Sequence, residues 1–293
     1  MRVNFLILIV IFVAACTERI DIHTDDAPPR LSIYGYITTD TMQHAIRITY
    51  SAGYFTTNPP VGVNNAIVTI TDNDGKVIPL SYTPVDTIPG LYLTESDIFG
   101  VEDKTYTLDV RINNNEHYSA TAYLQEINHI DSIGLQLSPI PLLRNRVEVL
   151  LYAVNSGVKT NYCFFIAIND SVVNSSINRW MVVGSEFFGD RNYIDGVACY
   201  YLDQDPNNHH HRNEVLKIGD KVTLNINAVS DEYATFIRNV QTEIRGSNPI
   251  FGGPPANVPT NITSKEGNQV LGFFTAFPSR YAHKIVEQDF TPK

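Results

Sequence analysis

Basic side chains and long apolar runs are scarce in this 293-residue chain, and each scarcity excludes a class of protein. Lysine and arginine total 21 against 31 aspartate and glutamate residues, which gives a formal net charge of -10. No basic patch is visible, so nucleic-acid binding is disfavoured. After residue 15, no apolar run reaches the length of about 20 residues that a membrane-spanning helix needs. The chain after residue 15 is therefore not expected to cross a membrane as a helix.

Recognised catalytic patterns are also lacking. The chain contains no Gly-x-Ser-x-Gly motif, no His-Glu-x-x-His motif and no glycine-rich phosphate loop. Its carboxylates are scattered, so a glycosidase pair cannot be picked out. We therefore expect a non-enzymatic protein without a cofactor, with a hydrolase of unrecognised site as an alternative.

The N-terminus has the layout of a bacterial secretory signal. Arg2 precedes an unbroken apolar run over 5–13, and the small residues Ala14 and Ala15 lead into Cys16. Val13-Ala14-Ala15-Cys16 resembles the lipobox, in which the cysteine is acylated and becomes the first mature residue. We predict a lipoprotein signal peptide over 1–15 and lipidation of Cys16. The alternative is an ordinary signal peptide with an incidental cysteine.

The remaining chain is rich in tyrosine (16) and phenylalanine (14), which suits β-sheets. The polar and acidic segment 16–29, which starts with the lipidated cysteine, is predicted to be a flexible tether. Short alternating segments then recur about every ten residues between polar turns, a pattern typical of a β-sandwich. We predict a mainly β fold with an immunoglobulin-like β-sandwich over 30–125 and a second β-rich domain over 126–293. The predicted strands are 31–38, 44–50, 65–71, 76–82, 91–94, 105–112, 117–124, 130–137, 146–154, 161–169, 179–184, a strand around Cys199, 221–229 and 269–277, followed by a frayed tail.

One segment of the second domain changes to helical periodicity. Ser230 is a good N-cap, and Asp231 and Glu232 place negative charge in the first turn, where the helix dipole favours it. Gly246 ends the pattern. We predict a single helix at about 231–245, with a core-facing stripe formed by Tyr233, Phe236, Ile237, Val240 and Ile244.

Two cysteines remain once Cys16 is assigned to the lipid. Cys163 and Cys199 each lie in an apolar segment that reads as a strand. An oxidising compartment permits a disulfide between them. Two buried free thiols are an equal alternative, because the sequence does not give the distance between the sulfur atoms.

A polar cluster combines His209, His210 and His211 with Asp203 and Asp205. Imidazole and carboxylate groups are ligands for zinc or copper, so the cluster is a candidate metal site. Adjacent side chains on an extended chain diverge, however, and a solvated polar loop is the simpler interpretation.

The segment 249–259 is rich in proline, glycine and asparagine and is predicted to be a loop. Phe251, Pro254, Pro255 and Asn257 are candidates for an interaction surface on it. Packing of this loop against the helix is the simpler interpretation.

Aromatic side chains near the start of the body offer a second candidate surface. A ligand platform is one interpretation, and packing in the core or at its rim is the simpler interpretation for most of these side chains. The residues are Tyr34, Tyr36, Tyr50, Tyr54 and Phe55.

Several segments in this order and spacing resemble the DUF4249 family of Bacteroidota outer-membrane lipoproteins. The matching segments are 31–38, 65–72 with Gly75, 90–92, 104–108, 118–120, 130–133, the helix 231–245, 254–258, 261–262 and 272–274. The resemblance implies a lipid-anchored protein on the periplasmic or cell-surface face of the outer membrane, often encoded near TonB-dependent transporters. It implies an accessory role in nutrient uptake or envelope function, with a membrane and a β-barrel transporter as partners. It supplies no catalytic residues and no ligand. A structural or adhesive lipoprotein, with the sandwich as a spacer, is the alternative.

Lipidation at Cys16 can be tested directly. We expect Cys16→Ala to move the protein from the membrane fraction to the soluble fraction, because each buried acyl methylene contributes about 0.8 kcal/mol to membrane binding. Fractionation with mass spectrometry of the N-terminal peptide checks this, and Cys163→Ala is the control that should stay on membranes. An unmodified thiol at position 16, or a Cys16→Ala variant still on membranes, would refute lipidation.

Overall fold

The computed structural model describes residues 29–51, 59–113, 115–155, 157–190, 192–209, 211–245 and 258–290. Within these residues the fold is mainly β, with one α-helix of fifteen residues, as the sequence predicts. The signal peptide, Cys16 and most of the tether lie outside the described residues. No helix in the described part of the chain is long and apolar enough to cross a membrane.

Ten strands form the first sheet. In chain order they are β1 (Leu31–Thr38), β2 (Ala45–Tyr50), β3 (Val61–Gly62), β4 (Ala66–Asp72), β5 (Val77–Tyr82), β6 (Leu91–Leu93), β7 (Lys104–Ile112), β8 (Glu116–Leu124), β16 (Thr263–Ser264) and β17 (Val270–Phe277). Their spatial order is β16-β8-β7-β4-β5-β6-β2-β1-β17, with β3 beside β2. The predicted strands match the observed strands of this region to within one residue at each end. The two short strands β3 and β16 have no counterpart among the predictions.

Period-two alternation builds the core of this sheet. Along β7, Tyr106, Leu108, Val110 and Ile112 are buried, whereas the residues between them are less so. The hairpin between β4 and β5 turns at Asp72–Gly75. There the Asp72 carboxylate accepts hydrogen bonds from two backbone N–H groups, and Gly75 adopts a positive φ of 87°.

The sequence-based boundary at residue 125 does not describe the first sheet, because β17 belongs to it. β17 pairs in parallel with β1 over its whole length, from Leu31 opposite Val270 to Thr38 opposite Phe277. Gly272 has a φ of 100° and lies so close to the Ile33 carbonyl that a Cβ there would sit 2.0 Å from the oxygen. A pairing across more than 230 residues leaves no local signal, so periodicity assigned β17 to the wrong unit.

The second unit contains two smaller sheets. The first has the order β14-β10-β9, formed by β9 (Ile130–Leu137), β10 (Arg146–Val154) and β14 (Tyr193–Asp203). The second has the order β12-β11-β15-β18, with β13 beside β11. Its strands are β11 (Asn161–Ile168), β12 (Ser171–Val172), β13 (Met181–Gly184), β15 (Lys221–Val229) and β18 (Ser279–Ile285).

The predicted frayed tail is wrong. β18 pairs with β15 from Lys221 opposite Ile285 to Asn227 opposite Ser279, and Phe290 beyond it is buried. The tail is stabilised by this pairing and by core contacts, which its mixed polar sequence does not reveal.

The helix α1 spans Asp231–Arg245, the bounds predicted from its cap and periodicity. Tyr233 N–H donates to the Ser230 hydroxyl at 3.2 Å, which confirms Ser230 as the N-cap. The buried face of α1 packs on Phe273 and Phe277 of β17 and on Cys163 of β11. The helix therefore lies between the two units and contacts a strand of each.

Replacing Phe274 should show that β17 belongs to the first core. Phe274 is fully buried among the residues of the first sheet, and its truncation to alanine should lower the free energy of unfolding by about 3–5 kcal/mol. Leu271→Ala on the same strand, where the side chain is 36% exposed, should cost about 1 kcal/mol or less. Urea denaturation measures both, and equal costs would contradict the assignment.

Candidate functional site

A cleft lined by aromatic side chains lies where the two units meet. It has a volume of about 340 Å³ and is bounded by β1 and β17 on one side and by β11, β15 and β18 on the other. Binding sites for small molecules are clefts of roughly 300–1,000 Å³ with mostly apolar walls. The lining residues are Tyr36, Thr38, Asp40, Met42, Cys163, Phe165, Val172, Ser175, Trp180, Asn225, Asn227, Val229, Tyr233, Phe277, Ser279 and Tyr281.

Each wall of the cleft carries paired rings. On the first unit, the Tyr36 and Phe277 ring centroids are 5.4 Å apart on the adjacent strands β1 and β17. On the second unit, Phe165 and Trp180 meet edge to face, with centroids 5.0 Å apart. The Trp180 indole N–H donates to the Ser175 carbonyl at 3.2 Å, which orients the ring. These contacts hold the aromatic faces in place before any ligand enters.

Strand alternation explains why these rings face the cleft. On β1, Ile33 and Ile37 point into the first core and are fully buried, so Tyr36 must lie on the opposite face of the sheet. On β11, Phe164 points into the second core, and Phe165 is turned to the cleft. Each of the two sheets therefore packs on its own core with one face and lines the cleft with the other.

Polar side chains interrupt the apolar lining at a few points. Ser279 Oγ donates to Asn227 Oδ1 at 2.8 Å, and Asn227 Nδ2 donates to the Cys163 carbonyl at 3.2 Å. At the rim, the Tyr281 hydroxyl donates to Asp40 Oδ2 at 2.7 Å. Asn225 Oδ1 is a buried acceptor without a hydrogen-bond partner in the described part of the chain.

A second, shallower groove of about 570 Å³ continues beyond Tyr36 and Trp180, which line both. Its walls are apolar and include Phe236 and Val240 of α1 and Leu271 of β17. The two depressions together form one aromatic surface along the contact between the units.

Two tyrosines tie the helix to the first sheet beside this groove. The Tyr34 and Tyr233 hydroxyls lie 2.8 Å apart and share a hydrogen bond. Burial raises the pKa of both phenols well above the usual value of 10. Both therefore stay protonated at neutral pH, and their role is to hold the helix in position.

The predicted aromatic platform is assembled only in part. Tyr36 lines the cleft and Tyr34 lines the groove, whereas Tyr50 lines neither. Tyr54 and Phe55 lie outside the described residues. The sequence interpretation missed Trp180, Tyr281 and Asn225. The one sequence signal for Asn225 is its position between the core residues Leu224 and Ile226 of β15.

Cys163 and Cys199 are free thiols, so the disulfide considered from the sequence does not form and the two-thiol alternative is correct. They sit in different clusters, because β11 and β14 belong to different sheets. Cys199 Sγ donates to the Val149 carbonyl at 3.2 Å. Burial raises the pKa of Cys199 to about 12 and that of Cys163 above its usual range. Neither thiol is an activated nucleophile.

The histidine and aspartate cluster does not converge on a metal site. His211 instead contacts the buried carboxylate of Glu214, with its Nδ1 2.7 Å from the nearest carboxylate oxygen. The same carboxylate pairs with Arg179. The Asp203 carboxylate accepts hydrogen bonds from Asn208 Nδ2 and from the Asp205 backbone, both at 2.9 Å. These bonds order the 203–214 loop.

His209 and His210 are the remaining members of the cluster. His209 is exposed, and His210 lies outside the described residues. Among the residues with described positions, no group of three histidine, cysteine, aspartate or glutamate side chains could hold a metal ion. The Phe251, Pro254, Pro255 and Asn257 loop, like Cys16, lies outside them as well, and its interaction surface stays a prediction.

Comparison with known proteins identifies the family. The model of a domain of unknown function, DUF4249, matches residues 17–281, which is most of the chain. The chain belongs to the DUF4249 family. No curated protein matches this DUF4249 member in sequence. A chain from a solved cytokine receptor complex matches with 8% identity and a TM-score of 0.26, over 68% of this chain and 84% of that chain. A likeness that weak carries no argument about function.

Thiol labelling tests the cysteine assignment. We expect the Cys16→Ser form of this DUF4249 protein to take up no alkylating reagent when folded, because both remaining thiols are buried. In denaturant without reductant it should gain two adducts, counted by intact mass, and the added Cys163→Ala change should leave one. A denatured chain that gains adducts only after reduction would establish a disulfide.

Proposed function

We propose that this protein is an outer-membrane lipoprotein that binds a small molecule in the aromatic cleft and acts as an accessory to a TonB-dependent transporter. The cleft is the single observation that carries the binding role. Its rings are fixed by contacts with one another and by the Trp180–Ser175 hydrogen bond, so little side-chain ordering remains to oppose a ligand.

The chemistry of the cleft favours binding over catalysis. Its one thiol, Cys163, is buried and its pKa is raised. Among the lining residues there is no histidine or lysine to act as a general base. Asp40 is held at the rim by Tyr281, where it can contact a ligand.

The proposed location of the protein at the outer membrane rests on its N-terminal sequence. Lipidation at Cys16 and a tether over 16–29 would keep the body within reach of a membrane partner. Such tethering raises the effective concentration of the ligand-loaded protein at a transporter without any added contact.

A cleft-filling substitution tests this function in native membranes. Ser175 lies at the edge of both depressions, so Ser175→Phe should obstruct them. Ser171→Phe is the matched control, because Ser171 is exposed and lines neither. We expect the lipoprotein purified in mild detergent to carry a bound small molecule by native mass spectrometry, and Ser175→Phe but not Ser171→Phe to lose it.

The same preparation tests the transporter. Proteins that co-purify with the native lipoprotein should include an outer-membrane β-barrel that is depleted when Cys16→Ala is used. The absence of such a barrel would refute the accessory role. A wild-type protein without a bound molecule, or equal occupancy in the two phenylalanine variants, would refute binding in the cleft.

A further inference from the structure

The charge of the cleft lining is one-sided. Among the described residues that line it there is no lysine, arginine or histidine, and Asp40 is their one carboxylate. An anionic ligand would meet no cation there, and it would lie near a carboxylate.

The Asp40 carboxylate has no cationic partner in the described part of the chain. Its Oδ2 atom accepts hydrogen bonds from the neutral hydroxyls of Tyr281 and Thr38, at 2.7 and 3.4 Å. None of the ion pairs among the described residues includes it. Its Oδ1 atom is left without a hydrogen bond from these residues.

Two basic residues, His44 on the same segment of the chain and Arg280 on β18, do not neutralise the Asp40 carboxylate. Burial lowers the pKa of His44 below its ordinary value of 6.5, so the imidazole is neutral at pH 7. The Arg280 guanidinium pairs with Glu102 at 2.5 Å and donates to the Ile127 carbonyl. The negative charge at the rim is therefore available to a ligand.

A second polar side chain of the lining also carries an acceptor. Asn225 lines the cleft, and its buried Oδ1 has no donor among the described residues. Asn227, by contrast, has a partner at each end of its amide, Ser279 at Oδ1 and the Cys163 carbonyl at Nδ2. A ligand that satisfies both Asp40 and Asn225 must bring hydrogen-bond donors.

Aromatic faces add a further preference for positive charge. Trp180, Tyr36 and Tyr281 line the same cleft, and the ring quadrupoles of tryptophan and tyrosine attract ammonium groups within about 6 Å. We propose that the cleft selects an organic cation, a compact apolar molecule bearing a protonated amine. The inference rests on the proposed binding function and names its ligand class.

Three probes that share one ring and differ in charge test this selectivity. Benzylamine is cationic at pH 7, benzyl alcohol is neutral and benzoate is anionic. Trp180 is the single tryptophan of the chain and lies in the cleft wall, so its fluorescence reports occupancy directly. The full mature chain with Cys16→Ser is used, because no detergent is then needed that would compete for the cleft.

We expect benzylamine to bind about tenfold more tightly than benzyl alcohol, and benzoate to bind more weakly than either. Asp40→Asn should weaken the binding of benzylamine more than that of benzyl alcohol and so reduce the preference for the amine, which the aromatic faces alone then support. Asp86→Asn makes the same charge change at an exposed position outside the cleft and should alter nothing.

The outcomes separate the ligand class from the binding function. Equal affinity for the amine and the alcohol, or tighter binding of benzoate, would overturn the cationic ligand and leave the cleft a binding site. Failure of all three probes to change Trp180 fluorescence would overturn both. The comparison among probes uses one protein, so it stands even if Asp40→Asn does not fold.

Discussion

The parallel pairing of β1 with β17 is the constraint on which the rest of this structure depends. It closes the exposed edge of β1 and returns the C-terminal part of the chain to the first sheet. β18 follows β17 after a single residue and pairs with β15 of the second unit. The two units are thus joined by one continuous segment as well as by the helix.

This crossing explains the aromatic cleft. β17 carries Phe274 into the first core and Phe273 onto the helix, so both of its faces are covered. The helix cannot cover the whole outer face of β1 and β17, and the uncovered remainder faces β11 and β15. The cleft is what remains open between two sheets that are joined at one end.

The buried carboxylate of Glu214, outside the cleft, stabilises local structure. Glu214 is 1% exposed and receives Arg179, His211 and the Asp203 backbone N–H. A buried carboxylate with this many partners costs little to keep, whereas removing a partner would leave an uncompensated charge. In the cleft the situation differs, because among the described residues nothing donates to Asn225 Oδ1 or to Asp40 Oδ1. That contrast is the reason to place ligand recognition in the cleft and not at the histidine loop.

Sequence alone determined the class of the fold, most strand bounds and the helix, because each depends on local chemistry. Alternation specified β1, β9, β10 and β15 to the residue, and the Ser230 cap with its acidic first turn specified α1. Family membership likewise followed from the order and spacing of local segments. Tertiary structure alone decided that β17 lies beside β1, that the tail forms β18, that the two thiols stay apart and that Trp180, Tyr36 and Asp40 share one cleft. Those contacts join residues far apart in the chain, and periodicity records which face of a strand is covered but not which partner covers it.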